Sequence, residues 1–350
     1  MRTMKAAVLH GKDDLRIEDR PTPRPKAGEV LVRVKATGIC GSDLPRVFGD
    51  AAHHYPIVLG HEFAGIVEDV GPEVTKVKPG DRVAGVPLKP CFRCADCRSG
   101  LYAQCRHYSF IGSREDGSWA EYVVIPEQNA LPVDDGISYE EAALVEPASV
   151  ALHALQLIGF QGGEQVAILG GGNIGLLALQ WVKILGARDV TVFDLDEKRL
   201  ETARLLGADH TINASCEDAD DRWKEITGGR GYGIVLETAG AVETMRQSFD
   251  VAANRARVCF IGTPVQPLSF EPKLFELINR KEFMLRGSWM SYSAPFPGRE
   301  WEMTLHVLRQ GRLNVRDIVF RKFPLERIRE AFDLYRVPNM VKGKVILLND

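Results

Sequence analysis

The sequence predicts an α/β protein of two domains, one rich in β-strands and one built on a doubly wound parallel sheet. Three observations predict this. The chain has 350 residues, more than one ordinary core accommodates. Up to about residue 150 it alternates short β-type runs with Gly and Pro punctuation. Over residues 165–288 apolar strand-like runs alternate with helical stripes, the pattern of a parallel sheet covered by helices.

The β-type runs of the first part include residues 6–9, 29–34 and 65–70. Val30, Val32 and Val34 take one face of a strand, and Arg33 and Lys35 the other. Lys78-Pro79-Gly80-Asp81 reads as a turn entering another strand. This is the pattern of a barrel-like domain with long functional loops. A helical spacing then runs over 140–158, through Ala143, Val150, Ala151, Ala154, Leu155 and Ile158. Residues 166–169 form a continuous apolar strand. Ile174, Leu177, Ala178, Trp181 and Leu185 follow at helical spacing, and Gly186 suits the helix end. Residues 190–193 make the next strand; Leu200, Ala203 and Leu206 make a second helical stripe, with Gly207 as its stop. Residues 232–237 and 257–262 are further buried strands. A helix over 300–310 and a closing strand over 345–348 complete the order.

The net charge is −3, from 44 basic and 47 acidic residues, and no polybasic run points to nucleic acid or a membrane surface. The apolar run at 6–9 is too short for a signal-peptide core. The most apolar long window, 166–185, is broken by three glycines, Asn173, Gln180 and Lys183, so it does not read as a membrane span. The expectation is a cytoplasmic protein, where disulfides are rare. Its seven cysteines then call for a metal or redox explanation where they cluster.

Gly170-Gly171-Gly172-Asn173-Ile174-Gly175 fits G-x-G-x-x-G. Alone the pattern is weak, because glycines also make ordinary turns. Here it follows a strand, opens a helix, and precedes a second strand ending in Asp194. That acid stands near the spacing at which a carboxylate meets the adenosine ribose. The predicted contacts with a dinucleotide are Gly170, Gly172, Ile174, Gly175, Asp194, Arg199 and Gly262. Asp194 would repel a 2′-phosphate, so NAD is expected over NADP. Arg199 is the residue that could instead accept that phosphate, stack on adenine, or simply be a solvated helix charge.

Cys91, Cys94, Cys97 and Cys105 give C-x2-C-x2-C-x7-C. Four thiolates can close a tetrahedral zinc shell within one loop. An iron–sulfur run of the ferredoxin type continues x3-C-P, whereas here the gap is seven and Arg106 follows. Structural zinc is therefore expected. Cys216 and Cys259 stand alone and read as surface or packing residues.

Cys40 lies between Ile39 and Gly41, His61 in Gly60-His61-Glu62, and Glu146 before Pro147. A thiolate, an imidazole and a carboxylate make a ligand set of the kind that holds zinc with one position open. Taken singly, each of the three is more often structural, and spacing does not show that they converge.

With these motifs together the chain resembles the zinc-dependent medium-chain dehydrogenases nearly end to end. The carrying residues are Cys40-Gly41-Ser42-Asp43, Gly60-His61-Glu62, the four-cysteine loop, Val145-Glu146-Pro147 and the glycines from 170 to 175. The resemblance implies a GroES-like catalytic domain over 1–155 and 290–350 and a Rossmann NAD-binding domain over 156–289. It implies two zinc ions per subunit and a homodimer or homotetramer. Cys40, His61 and Glu146 match the catalytic zinc ligands of polyol-type members. Glu62 matches a neighbouring carboxylate that can approach the metal, and Ser42 a hydroxyl that passes the proton outward. Residues 40–48, 54–57, 110–114, 287–293 and 297–302 lie outside the generic motifs and resemble the branch that oxidises galactitol 1-phosphate to L-tagatose 6-phosphate. Sorbitol dehydrogenases usually have a histidine where this chain has Pro45 or Arg46. A phosphorylated polyol calls for cations, and Arg46 and Arg114 are the first candidates, with Arg299 behind them. The rival readings are an unphosphorylated polyol or threonine dehydrogenase, and a non-catalytic nucleotide-binding relative of the fold.

Overall fold

The strand Glu29–Ile39 is the axis of the first part of the chain. Valines 30, 32 and 34 pack with Phe63, Val67, Val83 and Ile125 on one face. Leu31 and Ile39 join a second cluster with Leu9, Trp119, Phe332 and Val345. The strand is thus covered by apolar clusters on both sides, while Arg33 and Lys35 stay half-buried. It pairs antiparallel with Glu62–Val70, Tyr122–Pro126 and Lys344–Leu348. The sheet extends through Arg82–Gly85 and Ala130–Pro132 on one side and Val319–Pro324 on the other. A smaller sheet joins Asp14–Pro21, Thr3–Gly11 and Ile57–Val58.

The computed structural model describes residues 2–216 and 219–349. These divide into two compact units. The first comprises the chain through Glu146, Tyr292–Gly311 and the residues from Val319 on; the second comprises Pro147–Ser291 and Arg312–Ile318. The helical stretch expected over 140–158 is two helices, Tyr139–Ala143 and Val145–Leu157. Ser138 opens the first with a capping box: its hydroxyl accepts from Glu141 N, and the Glu141 carboxylate accepts from Ser138 N at 2.9 Å.

The second unit holds a six-stranded sheet, wholly parallel. Its order is His210–Asn213, Asp189–Asp194, Gln165–Leu169, Tyr232–Glu237, Ala252–Phe260, Met284–Gly287. The order reverses between Gln165–Leu169 and Tyr232–Glu237, the switch point at which doubly wound sheets bind ligands. Helices Asn173–Ile184, Glu197–Leu205, Ala219–Thr227 and Val242–Val251 supply the first four crossovers. Gly186 and Gly207 take positive φ just past the first two, as their helix-stop reading requires. Among the described residues no helix is long and apolar enough to cross a membrane.

Candidate active site and metal centres

The register of two strand pairs builds the first centre. Gly38 faces Glu62 across the sheet, and Ile39 faces Val345, next to Lys344. The Glu62 carboxylate needs the space that Gly38 leaves: a Cβ there would stand 2.1 Å from Oε2. Gly60 has φ +96°, and a Cβ on it would strike Trp119. The two glycines thus let His61 and Glu62 enter the fold where they do.

Ligand-capable atoms of Cys40, His61 and Glu62 all lie within 4.8 Å of one another. Glu146 stands outside that group but close to it. Burial, then the charges of Glu62 and Cys40, push its carboxyl up to about 8, against the opposing pull of His61. Burial, with Glu62 and Asp43, likewise pushes the Cys40 thiol up to about 11. Acids crowded and buried in this way lean towards their neutral forms, and a divalent cation is the charge that reverses this. The donor set therefore fits zinc.

Asp43 and Lys344 complete the surroundings. Asp43 is fully buried; its Oδ2 accepts from Cys40 N at 3.0 Å, and its Oδ1 lies 3.6 Å from His61 Nδ1. At that distance the buried Nδ1 makes no hydrogen bond, and Asp43 stands beside it without fixing which ring nitrogen would face a metal. Lys344 is 3% exposed and donates to both oxygens of Glu62, at 2.6 and 2.7 Å, and to Ile39 O. Burial opposes its charge, but Glu62 and Cys40 hold its ammonium above the usual range. Sequence reasoning missed both residues. A lysine at the head of an apolar strand reads as a surface charge, and an aspartate in a loop as solvated.

Ser42 is exposed and hydrogen-bonds the Cys40 thiol. Arg46 Nη1 donates to Ser42 O at 2.7 Å and Ser42 Oγ at 3.0 Å. Phe110 packs its ring edge-on to His61, centroids 5.6 Å apart. Arg114, four residues on, is exposed and lies over the Tyr108 ring.

The cysteine loop is a separate centre. The sulfurs of Cys91, Cys94, Cys97 and Cys105 all lie within 4.8 Å of one another. The Cys91–Cys97 and Cys94–Cys105 separations are 3.9 Å. A disulfide needs about 2.05 Å. The edge of a tetrahedron with metal–sulfur bonds of about 2.3 Å is about 3.8 Å, so the spacing fits zinc. Backbone N–H groups of Cys91 and His107 donate to Cys105 Sγ, and those of Cys94 and Cys97 to the preceding sulfurs. Such donors favour thiolate: the N–H groups of Arg93 and Cys94 hold Cys91 at about 6, while burial pushes Cys97 up to about 12.

In the second unit the glycine motif sits at the expected turn. Gly172 is the extended N-cap of Asn173–Ile184 and supplies no side chain to cap it. The helix's first N–H groups are therefore left to an anion such as pyrophosphate. A Cβ on Gly175 would stand 1.8 Å from Gly170 O, so only glycine allows this close helix–strand packing. Asp194 Oδ2 accepts from Gly171 N at 2.7 Å and lies 3.7 Å from Arg199 Nη1. Gly262 N donates to the backbone oxygen of Glu237. Glu237 and Thr238 were missed. Glu237 is fully buried, and its Oε1 accepts from Ala239 N, Gly240 N and Thr244 Oγ1. Thr238 Oγ1 donates to Leu169 O and Gly170 O. The only signal for Glu237 was an acid ending an otherwise apolar strand.

Comparison with known proteins gives this geometry a family. An alcohol dehydrogenase GroES-like domain matches residues 26–135, and a zinc-binding dehydrogenase domain matches 173–306. Galactitol 1-phosphate 5-dehydrogenase of Escherichia coli (strain K12) is 39% identical over 99% of this chain and 100% of its own length. The chain belongs to the zinc-dependent medium-chain dehydrogenases. Its GroES-like and Rossmann parts are those of that family. The crystal structure of galactitol-1-phosphate dehydrogenase from Escherichia coli superposes with a TM-score of 0.94 at 39% identity, covering 99% of this dehydrogenase and 100% of that chain. Sorbitol dehydrogenase of Bacillus subtilis (strain 168) is 34% identical over 94% of this chain and 93% of its own. A Sinorhizobium meliloti structure bound to NADP matches with a TM-score of 0.90 at 30% identity, over 100% of both chains.

Proposed function

We propose that this dehydrogenase oxidises a secondary hydroxyl of a sugar-alcohol phosphate with NAD, taking galactitol 1-phosphate to L-tagatose 6-phosphate. The observation that carries the reaction type is the convergence of Cys40 and His61 beside two buried carboxylates, one of them already neutralised. Lys344 occupies both oxygens of Glu62. That leaves Glu146 as the third ligand, with Glu62 in reserve and one position open to the substrate. Zinc held there supplies Lewis-acid polarisation of the hydroxyl oxygen. The nicotinamide supplies the hydride acceptor. The chain's own residues do the rest. Asp43 stands beside the His61 ring and accepts from the Cys40 backbone N–H, which fixes the loop that carries the thiol. Ser42 Oγ, which accepts from Arg46 Nη1 and is exposed, would take the hydroxyl proton and release its own to solvent. Glu237 and Thr238 brace the loops at the carboxyl ends of the strands where the dinucleotide binds. The four-cysteine loop holds a second, structural zinc.

The cofactor preference rests on Asp194. Its side chain is 8% exposed, and its two oxygens accept from Gly171 N and Asp196 N. A carboxylate so placed accepts a ribose hydroxyl and repels a 2′-phosphate. Turnover with NAD should exceed that with NADP at least tenfold; the reverse preference would show Arg199 to be the deciding residue.

The substrate rests on the full-length likeness to galactitol 1-phosphate 5-dehydrogenase and on Arg46 and Arg114. Comparing galactitol 1-phosphate with galactitol tests it, and equal efficiency on the two removes the phosphate. The second reading, an unphosphorylated polyol, is favoured by the sorbitol dehydrogenase relative. We further infer a cytoplasmic homodimer or homotetramer. Every residue of the edge strand Met284–Gly287 is exposed, and its open side suits pairing with the same strand of a second copy.

A further inference from the structure

We propose that Glu237 sets the enzyme's preference between the two redox states of its cofactor: its buried carboxylate favours the oxidised, cationic nicotinamide over the reduced, neutral one. This rests on the nicotinamide dinucleotide reading above and goes beyond the bracing given to Glu237 there.

Sheet topology places Glu237 on the nicotinamide half of the site. The strand order divides the parallel sheet at the switch between Gln165–Leu169 and Tyr232–Glu237, and each half of such a sheet takes one mononucleotide. The glycine turn after Gln165–Leu169 suits the pyrophosphate, and Asp194, at the end of Asp189–Asp194, suits the adenosine ribose. The adenosine therefore takes the side of Asp189–Asp194 and His210–Asn213. The nicotinamide is left with the other side, where the first two strands end in Glu237 and Phe260. Glu237 O accepts from Ile261 N at 2.9 Å and Gly262 N at 3.1 Å, which ties the ends of those two strands together.

The side chain of Glu237 is fully buried. Its Oε1 accepts from Thr244 Oγ1 at 2.7 Å, Gly240 N at 2.8 Å and Ala239 N at 3.0 Å. Its Oε2 is buried and has no hydrogen-bond partner. A proton on Oε2 would find no acceptor, and three donors converge on Oε1. Both facts favour the carboxylate, against the burial that pushes this carboxyl up. Among the described residues no ion pair answers the charge. Oε2 faces Gly262 instead: a Cβ there would stand 2.7 Å from it. Gly262 is half-buried and Thr263 exposed, so the free oxygen lies one glycine beneath the surface at the strand ends. A buried carboxylate without a cation is costly, and a ligand that brings one recovers part of that cost. The oxidised nicotinamide ring is positive and the reduced ring is neutral. Glu237 therefore attracts the cofactor that enters an oxidation and loses that attraction once hydride has been accepted. Buried charges are little screened by salt, so the effect persists at ordinary ionic strength. The residue thus favours exchange of NADH for NAD, the direction that an alcohol oxidation needs.

Calorimetric titration of the enzyme with NAD, NADH and adenosine diphosphate ribose, which lacks the nicotinamide, tests the proposal. Glu237→Gln keeps an oxygen for the three donors and removes the charge. It should weaken NAD about tenfold and leave NADH and adenosine diphosphate ribose within about twofold. Thr244→Val keeps the charge and drops one donor, so it should move all three ligands alike. If the ratio of the NAD and NADH dissociation constants stays the same in Glu237→Gln, or shifts in favour of NAD, Glu237 is a brace alone; the proposal is overturned and the dinucleotide reading stands. If the unaltered enzyme binds neither NAD nor NADH, that reading falls and the proposal with it.

Discussion

The cysteine loop and the Cys40–His61 site are both suited to a cation and are built in opposite ways. The loop takes four like donors from residues 91–105, and backbone N–H groups from the same loop steady the sulfurs. The other site takes unlike donors from residues 40, 61, 62 and 146 and buries them with a lysine from residue 344. Four thiols would fill a tetrahedral shell by themselves and leave no position for a substrate. The mixed site keeps an excess of buried acid that Lys344 and Arg46 answer in part and a bound cation would balance. A centre that holds structure can therefore be local. One that performs chemistry at an open position draws on the whole sheet, because the sheet excludes water and fixes each donor separately.

Removing a ligand from each centre tests that difference most sharply. His61→Ala should reduce turnover by a factor of about 1,000 or more while far-ultraviolet circular dichroism stays unchanged. Metal analysis should find one zinc fewer per chain, with the loop's zinc retained. Near-normal turnover would remove His61 from the ligand set.

Lys344→Met probes the balance of charge in the mixed site. It leaves Glu62, 1% exposed, without its cation, at a cost of about 3–5 kcal/mol in urea unfolding. The double variant Lys344→Met, Glu62→Gln should regain most of that. If the single variant loses no stability, Glu62 has found another cation, and the metal itself is the obvious one.

Cys97→Ser addresses the loop. It should release one zinc and lower the melting temperature by about 5 °C or more. The zinc at His61 should remain, because no donor is shared between the two centres. Loss of both metals would show the centres to be coupled. The smallest effect is expected at Phe92, between two of the loop cysteines. Its ring meets Tyr102 and Phe296 edge to face or tilted, 5.6 and 5.4 Å away, yet it is 39% exposed. Phe92→Ala should cost about 1 kcal/mol without loss of metal.

Legibility in the sequence followed the range of the interactions. The cysteine loop and the glycine turn were readable because each is a local device, with spacing that a single turn imposes. The alternation of strands and helices was readable because burial on both faces leaves continuous apolar runs. The break at Leu144 was not, since the apolar periodicity continues across it from one helix into the next. Nor was the return of residues 312–318 to the second unit, because nothing in their composition differs from a surface segment.

The sequence by itself therefore determined the two-part α/β architecture, the four-thiol loop, the dinucleotide turn and the identity of the chemically able residues. Only the tertiary structure decided which of those residues meet. Lys344 reaches Glu62 across 282 residues because Gly38 pairs with Glu62 and Ile39 with Val345 on the two edges of one strand. Side chains alternate along a strand, so a slip of one residue would turn the lysine away and leave the acid buried alone. Register is a property of the assembled sheet, and the ligand set around His61 depends on it.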